Sequence, residues 1–241
     1  MTASDLMAVY RRLLESFGPQ GWWPLSSLAG RGSFDDRGYH RGDFSYPRTA
    51  EQRFEIAMGA VLTQNTTWKN VERVIEKLID RELMTPGAIL GCSLAELGEY
   101  IRASGYYNQK ARKLITLVEF FANEGSVSGA NWKPQRQHLL NLWGIGAETA
   151  DSILLYAYKI PSFVIDAYTH RLAARLGLVS GGESYDRLQS LFTGSLPREY
   201  ELYAEFHALI VRQAKSYCGR KPLCTDCPLR SGCNYFTTGL V

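Results

Sequence analysis

Residues 142–170 restrict the fold of this chain more than any other segment. They read LWGIGAETADSILLYAYKIPSFVIDAYTH, in which two glycines two residues apart are followed about 20 residues later by Asp166. A glycine-rich turn with an acidic residue at that distance is typical of dinucleotide-binding folds. However, Thr149 occupies the third glycine position of that motif, and the apolar residues before Gly144 recur at helical spacing. The segment therefore predicts a helix, a Gly-Ile-Gly turn and a second helix.

Helical periodicity dominates the rest of the chain, and strand-like alternation is scarce. Thr49 and Gln52 form a capping-box pattern at the start of a helix through FEIAMGAVLTQ, and apolar residues recur at helical spacing over 71–78. Further helices are predicted over 94–103, 109–122, 136–143, 148–158, 168–176, 185–191 and 199–215. The pattern indicates an all-α protein.

Length and composition are those of a folded protein. With 241 residues, of which 45% are hydrophobic, the chain can bury a core in one domain or in two small lobes. No apolar run approaches the roughly 20 residues that cross a bilayer, and the first residues lack the order of a signal peptide, so we expect an intracellular protein without a membrane partner. The net charge of +3 permits nucleic-acid binding without arguing for it. Residues 29–47 show no helical or strand periodicity, so we expect this segment to be an insertion at the surface.

Four of the five cysteines lie in the last 24 residues, at Cys218, Cys224, Cys227 and Cys233. Disulfides are not expected, because an intracellular chain of this size does not need them. A structural zinc site usually has two separated Cys-x-x-Cys pairs, whereas here one such pair is flanked by single cysteines. One compact loop with four thiolates fits a [4Fe-4S] cluster better. Cys92 is interpreted as a small buried hydrophobic residue.

With these features the chain resembles the helix-hairpin-helix DNA glycosylases of the endonuclease III superfamily over most of its length. In that family an LxGxG motif forms the hairpin, an aspartate follows, and four cysteines near the C-terminus bind a [4Fe-4S] cluster. The corresponding residues here are Leu142, Gly144, Gly146, Asp166, Cys218, Cys224, Cys227 and Cys233. One departure is that five residues separate the first two of these cysteines instead of the usual six.

The resemblance implies two helical lobes with a cleft between them. Residues 1–47 are expected to join the lobe that carries the cluster, with the insertion at 29–47. Residues 48–163 form the lobe that contains the hairpin. Residues 164–241 carry the helix of the catalytic aspartate and the cluster loop.

The hairpin is expected to bind DNA through the free N–H groups of Ile145, Gly146 and Ala147, which can donate to a phosphate at the start of the second helix. Taken alone, the same residues could form a plain turn between helices. At Glu148 the bifunctional members of the family carry a lysine that attacks the sugar. Because glutamate cannot do this, the resemblance implies a glycosylase without lyase activity.

Asp166 is expected, from the resemblance, to stabilise positive charge on the deoxyribose and to direct a water molecule to its anomeric carbon. The alternative is an N-cap for the helix that begins at Ala167, and one carboxylate can serve both purposes. Gln64, in LTQNT, matches the residue that the superfamily inserts into the gap left by the flipped nucleotide. Its alternative is a cap at the break between two helices.

The aromatic stretch QGWWPL offers Trp22, Trp23 and Pro24 as an apolar wall for a flipped cationic base, although adjacent tryptophans are more often core residues. Several segments look closest to the 3-methyladenine DNA glycosylase III branch, in which these three residues and Phe54 match the base pocket. Lys215 matches a lysine of the base pocket in that branch. The alternative interpretation is that Lys215 is a solvated lysine at the end of a helix. The best-known members of that branch lack the cysteine loop.

The sequence therefore predicts a monomeric, monofunctional DNA glycosylase that carries a [4Fe-4S] cluster and removes alkylated purines such as 3-methyladenine from damaged double-stranded DNA, in the cytoplasm at the nucleoid. Two alternatives stay open. One is a glycosylase and lyase for oxidised pyrimidines, and the other is an iron-sulfur protein that binds DNA without catalysis.

Overall fold

The computed structural model describes residues 3–125 and 132–239, and within these ranges the chain is helical and contains no β-strand. The helices are α1 (Ala3–Phe17), α2 (Ala50–Leu62), α3 (Trp68–Asp80), α4 (Pro86–Leu90), α5 (Leu94–Tyr100), α6 (Tyr107–Phe120), α7 (Arg136–Leu140), α8 (Ala147–Ser152), α9 (Ala167–Leu176), α10 (Tyr185–Ser195), α11 (Tyr200–Ser216) and α12 (Asn234–Thr237). The prediction of an all-α protein is confirmed. None of the described helices is both long enough and apolar enough to cross a membrane.

The chain forms two compact units. The terminal unit contains Met1–Trp22 and Pro161–Val241, and the central unit contains Trp23–Ile160. The chain thus passes from one unit to the other between Trp22 and Trp23, whereas the sequence analysis placed the first boundary after residue 47.

Residues 29–47 belong to the central unit because their backbone and rings are fixed there. The N–H of Leu25 donates to the carbonyl of Gly38 at 2.9 Å, and Gly38 has a φ of +80°, with no room for a Cβ beside Leu25. The ring of His40, which is buried, contacts the carbonyl of Trp23 at 3.0 Å and packs beside Phe34 and Tyr46. Most positions of the segment are exposed, but these contacts anchor it.

The core of the central unit is centred on α2. Its start shows the predicted capping box, in which the N–H of Gln52 donates to Thr49 Oγ1 and the Gln52 side chain accepts from the Thr49 N–H. Residues 54–62 are then buried without interruption. Helix α3 instead buries one face, formed by Val71, Val74, Ile75 and Leu78, as its spacing predicts.

The core of the terminal unit is centred on α11, which is buried along most of its length. Aromatic rings pack around it, with Phe163 contacting Phe192, Tyr203 and Phe206 at centroid distances of 4.5 to 5.9 Å. Helices α1 and α9 both pack on α11. This packing fixes the start of α9, where Asp166 lies, against the middle of α11.

Candidate DNA-binding hairpin, catalytic carboxylate and cysteine loop

The Gly-Ile-Gly turn connects α7 to α8 as predicted. Gly144 has a φ of +81°, and a Cβ at this position would lie 2.5 Å from the side chain of Lys113, so only glycine fits. Gly146 is the N-cap of α8 and has open space around it. Among the described residues, none accepts a hydrogen bond from the N–H groups of Gly146 and Ala147. The N–H of Ile145 is not free, contrary to the sequence analysis, because it donates to Leu142 O at 3.1 Å.

The side chain of Gln64 is bound to this turn. Its Nε2 donates to Gly144 O at 3.2 Å and to Thr149 Oγ1 at 2.9 Å, and its Oε1 accepts from Lys113 Nζ at 2.6 Å. All three contacts lie within the central unit. Gln64 therefore connects the end of α2 to the hairpin, and its insertion into DNA stays a prediction that requires these bonds to break.

Three further charged residues of the central unit make buried or partly buried contacts, and the sequence analysis did not identify them. Arg136 on α7 makes a two-pronged salt bridge at 2.8 and 2.9 Å to Asp151 on α8, whose side chain is fully buried. Buried Lys110 donates to the carbonyls of Leu62 and Ser104 at 2.8 and 2.6 Å. Burial, and then the neighbouring charge of Lys113, lower the pKa of Lys110 to about 8. A lysine in a helix is ordinarily solvated, so the local pattern does not predict that Lys110 is buried.

Glu148 is exposed in the first turn of α8, two residues after Gly146. A carboxylate is favourable at this end of a helix because the dipole is positive there. The hairpin therefore carries an acid, and no amine, at residue 148. Next to the turn, Trp143 is 54% exposed, a large apolar surface that the sequence analysis did not consider.

Asp166 is the N-cap of α9 and is nearly buried, with 9% of its surface exposed. Its Oδ1 accepts hydrogen bonds from the N–H and the hydroxyl of Thr169 at 2.7 and 2.9 Å, which confirms the capping interpretation. Its Oδ2 lies 3.6 Å from Nε2 of His207. Burial acts to raise the pKa of Asp166, but His207 and Thr169 outweigh burial and hold the pKa below its usual value. The carboxyl group is therefore ionised at neutral pH.

Trp22 lies in the terminal unit, in the neighbourhood of Asp166. Its ring meets the ring of His207 edge to face, at 5.7 Å and 85°. The preceding turn is fixed by buried Glu205, whose Oε1 accepts from the N–H of Gln20 at 2.7 Å. Burial raises the pKa of Glu205 to about 7, against the opposing effect of the Gln20 and Gly21 N–H groups. Lys215 is exposed in the last turn of α11.

The other proposed pocket residues lie in the central unit. Trp23 is 6% exposed, and its ring contacts Trp68 and Tyr156 at 5.3 and 5.2 Å. Pro24 and Phe54 are also buried. Trp23 is thus a core residue of its unit, as the alternative interpretation of the tryptophan pair allowed. The two tryptophans are adjacent in sequence but have separate surroundings.

The four clustered cysteines line one small cavity of about 20 Å³ in the terminal unit, together with apolar residues that include Leu172 and Leu229. All five cysteines of the chain are free thiols, so no disulfide is present. Within the described ranges, no group of three or more His, Cys, Asp or Glu side chains is arranged to hold a metal ion. The chemistry of the residues nevertheless fits a cluster, because all four thiols face one cavity.

Two N–H groups also point at sulfur atoms of this loop. Arg175 Nη1 lies 3.2 Å from Cys218 Sγ, and Gln213 Nε2 lies 3.0 Å from Cys227 Sγ. Arg175 donates in addition to the carbonyl of Gly219 at 2.7 Å and so fixes the start of the loop. Donors of this kind stabilise thiolate ligands. Burial raises the pKa of the Cys224 and Cys227 thiols, and the Gln213 donor opposes this effect at Cys227.

The comparisons with known proteins agree with this arrangement. Residues 58–198 match the model of the HhH-GPD superfamily of base excision DNA repair proteins, and the chain belongs to this family. A Methanocaldococcus jannaschii protein described as a DNA repair glycosylase is 38% identical over 231 residues, which cover 93% of this chain and 94% of that one. The protein is therefore a DNA glycosylase of base excision repair.

Two solved structures are also similar. H. pylori 3-methyladenine DNA glycosylase bound to 1,N6-ethenoadenine has a TM-score of 0.69 and 27% identity, over 89% of this chain and 98% of that chain. Endonuclease III in a non-covalent complex with DNA has a TM-score of 0.77 and 21% identity, over 100% of this chain and 99% of that chain. At this identity the second likeness shows the fold alone.

Proposed function

We propose that this protein is a monofunctional DNA glycosylase that hydrolyses the N-glycosidic bond of alkylated purines such as 3-methyladenine. The observation that carries the proposal is the ionised, nearly buried carboxylate of Asp166, in a protein whose hairpin has Glu148 at the place of the lyase lysine. The similarity to the H. pylori 3-methyladenine glycosylase supports the choice of substrate.

The reaction follows from the charge of Asp166. A purine alkylated on a ring nitrogen is cationic, so it leaves as a neutral base with the electron pair of the glycosidic bond and needs no general acid. Positive charge then develops on the deoxyribose, and a preorganised carboxylate in a nearly dry site stabilises it. A water molecule forms the new bond at the anomeric carbon and releases its proton toward the carboxylate. The product is an intact abasic site.

The hairpin binds and positions the DNA in this proposal. The N–H groups of Gly146 and Ala147 can donate to a phosphate, and such contacts hold the duplex without reading its sequence. Trp22 supplies an aromatic surface near Asp166 for the extruded base, and its contact with His207 orients the ring. Gln64 remains a proposed DNA contact of the central unit, and Lys215 a proposed base contact of the terminal unit. Trp23, Pro24 and Phe54 are buried in the central unit, so this proposal does not assign them to the base.

The cofactor belongs to the same proposal. Cys218, Cys224, Cys227 and Cys233 would hold a [4Fe-4S] cluster, which would stabilise the C-terminal loop and take no part in the chemical step. Arg175 and Gln213 would donate to its cysteine sulfurs.

The proposal is tested with duplexes that carry 3-methyladenine, thymine glycol or uracil, with base release measured separately from strand scission. We expect release of 3-methyladenine and a strand that breaks only after alkali. Release of thymine glycol together with strand scission would instead support the oxidised-pyrimidine alternative. Binding to all duplexes without release of any base would support the non-catalytic alternative.

A further inference from the structure

His207 lies where it can control the carboxylate of Asp166. It projects from the middle of α11, is 5% exposed, and brings Nε2 to 3.6 Å from Asp166 Oδ2. This distance is too long for a good hydrogen bond but short enough for the polar Nε2 side of the ring to act electrostatically on the carboxylate in a poorly solvated site. The other oxygen, Oδ1, is already occupied by Thr169. The two sides of the carboxylate therefore have different partners.

The Oδ2 side requires such a partner. A buried carboxylate tends to take up a proton, because burial penalises its charged form. Thr169 opposes this on one side only, and its own contact makes Asp166 a helix cap. A positive group or an N–H donor opposite Oδ2 would keep the carboxyl group ionised and hold Oδ2 in a fixed orientation.

Two other titratable residues of this region, Glu205 and Tyr10, have described contacts away from Asp166. Glu205, two residues before His207 on α11, accepts from the Gln20 N–H, and Tyr10 on α1 interacts with Glu205. The ring of His207 also packs edge to face on Trp22, which limits its rotation. The contacts of His207 thus join the aromatic ring proposed for the base to the carboxylate proposed for the sugar.

We propose that His207 is a positioning residue for the glycosylase reaction, which keeps Asp166 charged and its Oδ2 in place. The inference rests on the proposed function, in which Asp166 acts on the sugar. His207 itself touches neither the sugar nor the base in this proposal. Its effect on the reaction passes through the carboxylate.

The first test needs no substrate. In protein labelled with ¹³C-aspartate, the carboxyl signal of Asp166 is assigned by its loss in Asp166→Asn, and its titration is followed by NMR. We expect His207→Phe, which keeps a ring beside Trp22, to raise the titration midpoint by about one pH unit, as expected for loss of one close partner. His207→Gln, which keeps an N–H donor, should raise it less. The matched control is His170→Phe, which removes a histidine from α9 whose described bond to Asp166 is made by the backbone alone.

The second test is the pH profile of base excision. The acid limb of kcat/KM should move upward in His207→Phe by the same amount as the NMR midpoint, with a smaller shift in His207→Gln. An unchanged midpoint in His207→Phe would overturn this inference and leave the role of Asp166 intact. A raised midpoint with an unmoved acid limb would overturn Asp166 as the catalytic group, and hence the proposed function, while the pairing would stand.

Discussion

Substituting Asp166 with asparagine and with alanine separates the two roles of this residue. Asparagine keeps an oxygen that can accept the Thr169 N–H, now 2.7 Å from Oδ1, and it is among the best N-cap residues. Alanine has no acceptor at all. Both substitutions remove the negative charge. The pair of variants therefore differs in the helix cap and agrees in the loss of charge.

The expected magnitudes follow from these contacts. Loss of an N-cap costs about 1 kcal/mol, so Asp166→Ala should unfold with a free energy about 1 kcal/mol lower than that of Asp166→Asn. Removal of one preorganised electrostatic group from an active site slows catalysis by roughly 10²- to 10³-fold, which we expect for both variants. Affinity for damaged DNA should be retained, because a negative charge near the phosphates is lost.

The assays are single-turnover excision of 3-methyladenine, fluorescence anisotropy for DNA affinity, and denaturant unfolding. A depressed pKa stabilises the folded state above the unfolded value of about 3.9, and this contribution is lost as pH falls through the folded value. The stability of the wild type relative to Asp166→Asn should therefore decline below about pH 4. Excision by Asp166→Asn at the wild-type rate would refute the argument, because Asp166 would then be only a helix cap.

Three other predictions concern the hairpin, the core and the cysteine loop. Because a glutamate side chain cannot form a Schiff base, borohydride should not trap the wild-type protein on damaged DNA through Glu148, and efficient trapping would contradict the proposed absence of lyase activity. Lys110→Met should lower the free energy of unfolding at pH 7 by about 2 kcal/mol, because two buried carbonyls lose their donor. Burial lowers the pKa of Lys110 from 10.5 to about 8, so the free energy of unfolding of the wild type should increase as pH rises from about 8 to 10.5, and that of Lys110→Met should not. Equal pH dependence of stability in the two proteins would disprove this account. Purified protein should contain iron and sulfide, and stoichiometric zinc without iron would exclude the cluster. Cys224→Ser should lower the yield of soluble protein more than it lowers the excision rate of the protein that remains soluble.

Local patterns predicted the elements of the site well. The capping box of Thr49 and the Gly-Ile-Gly turn depend on residues a few positions apart, so their chemistry is visible in the sequence. The helix cap by Asp166 is equally local. By contrast, helices α4 and α12 have only five and four residues, too few for a periodic pattern to appear.

Long-range partners were not predictable in the same way. His207 is preceded and followed by apolar residues in AEFHALIV, and nothing in that segment indicates that its ring reaches a residue 41 positions earlier (207 − 166). Gln64 and Lys113 meet at the hairpin only because α2 and α6 pack in one unit. Trp22 and Trp23 fall in different units although they are neighbours, which no local pattern could reveal.

The terminal unit is formed by two parts of the chain that are far apart in sequence, and this affects the order of folding during synthesis. All residues of the central unit lie between Trp23 and Ile160, so this unit can fold as soon as it has left the ribosome. Helix α1 must wait for α11, and Arg12 finds its acceptor, the Pro228 carbonyl, 216 residues later. The carboxylate of Asp166 therefore acquires its α11 partner, His207, only near the end of translation, and a nascent chain can hold a folded hairpin before Asp166 has this partner.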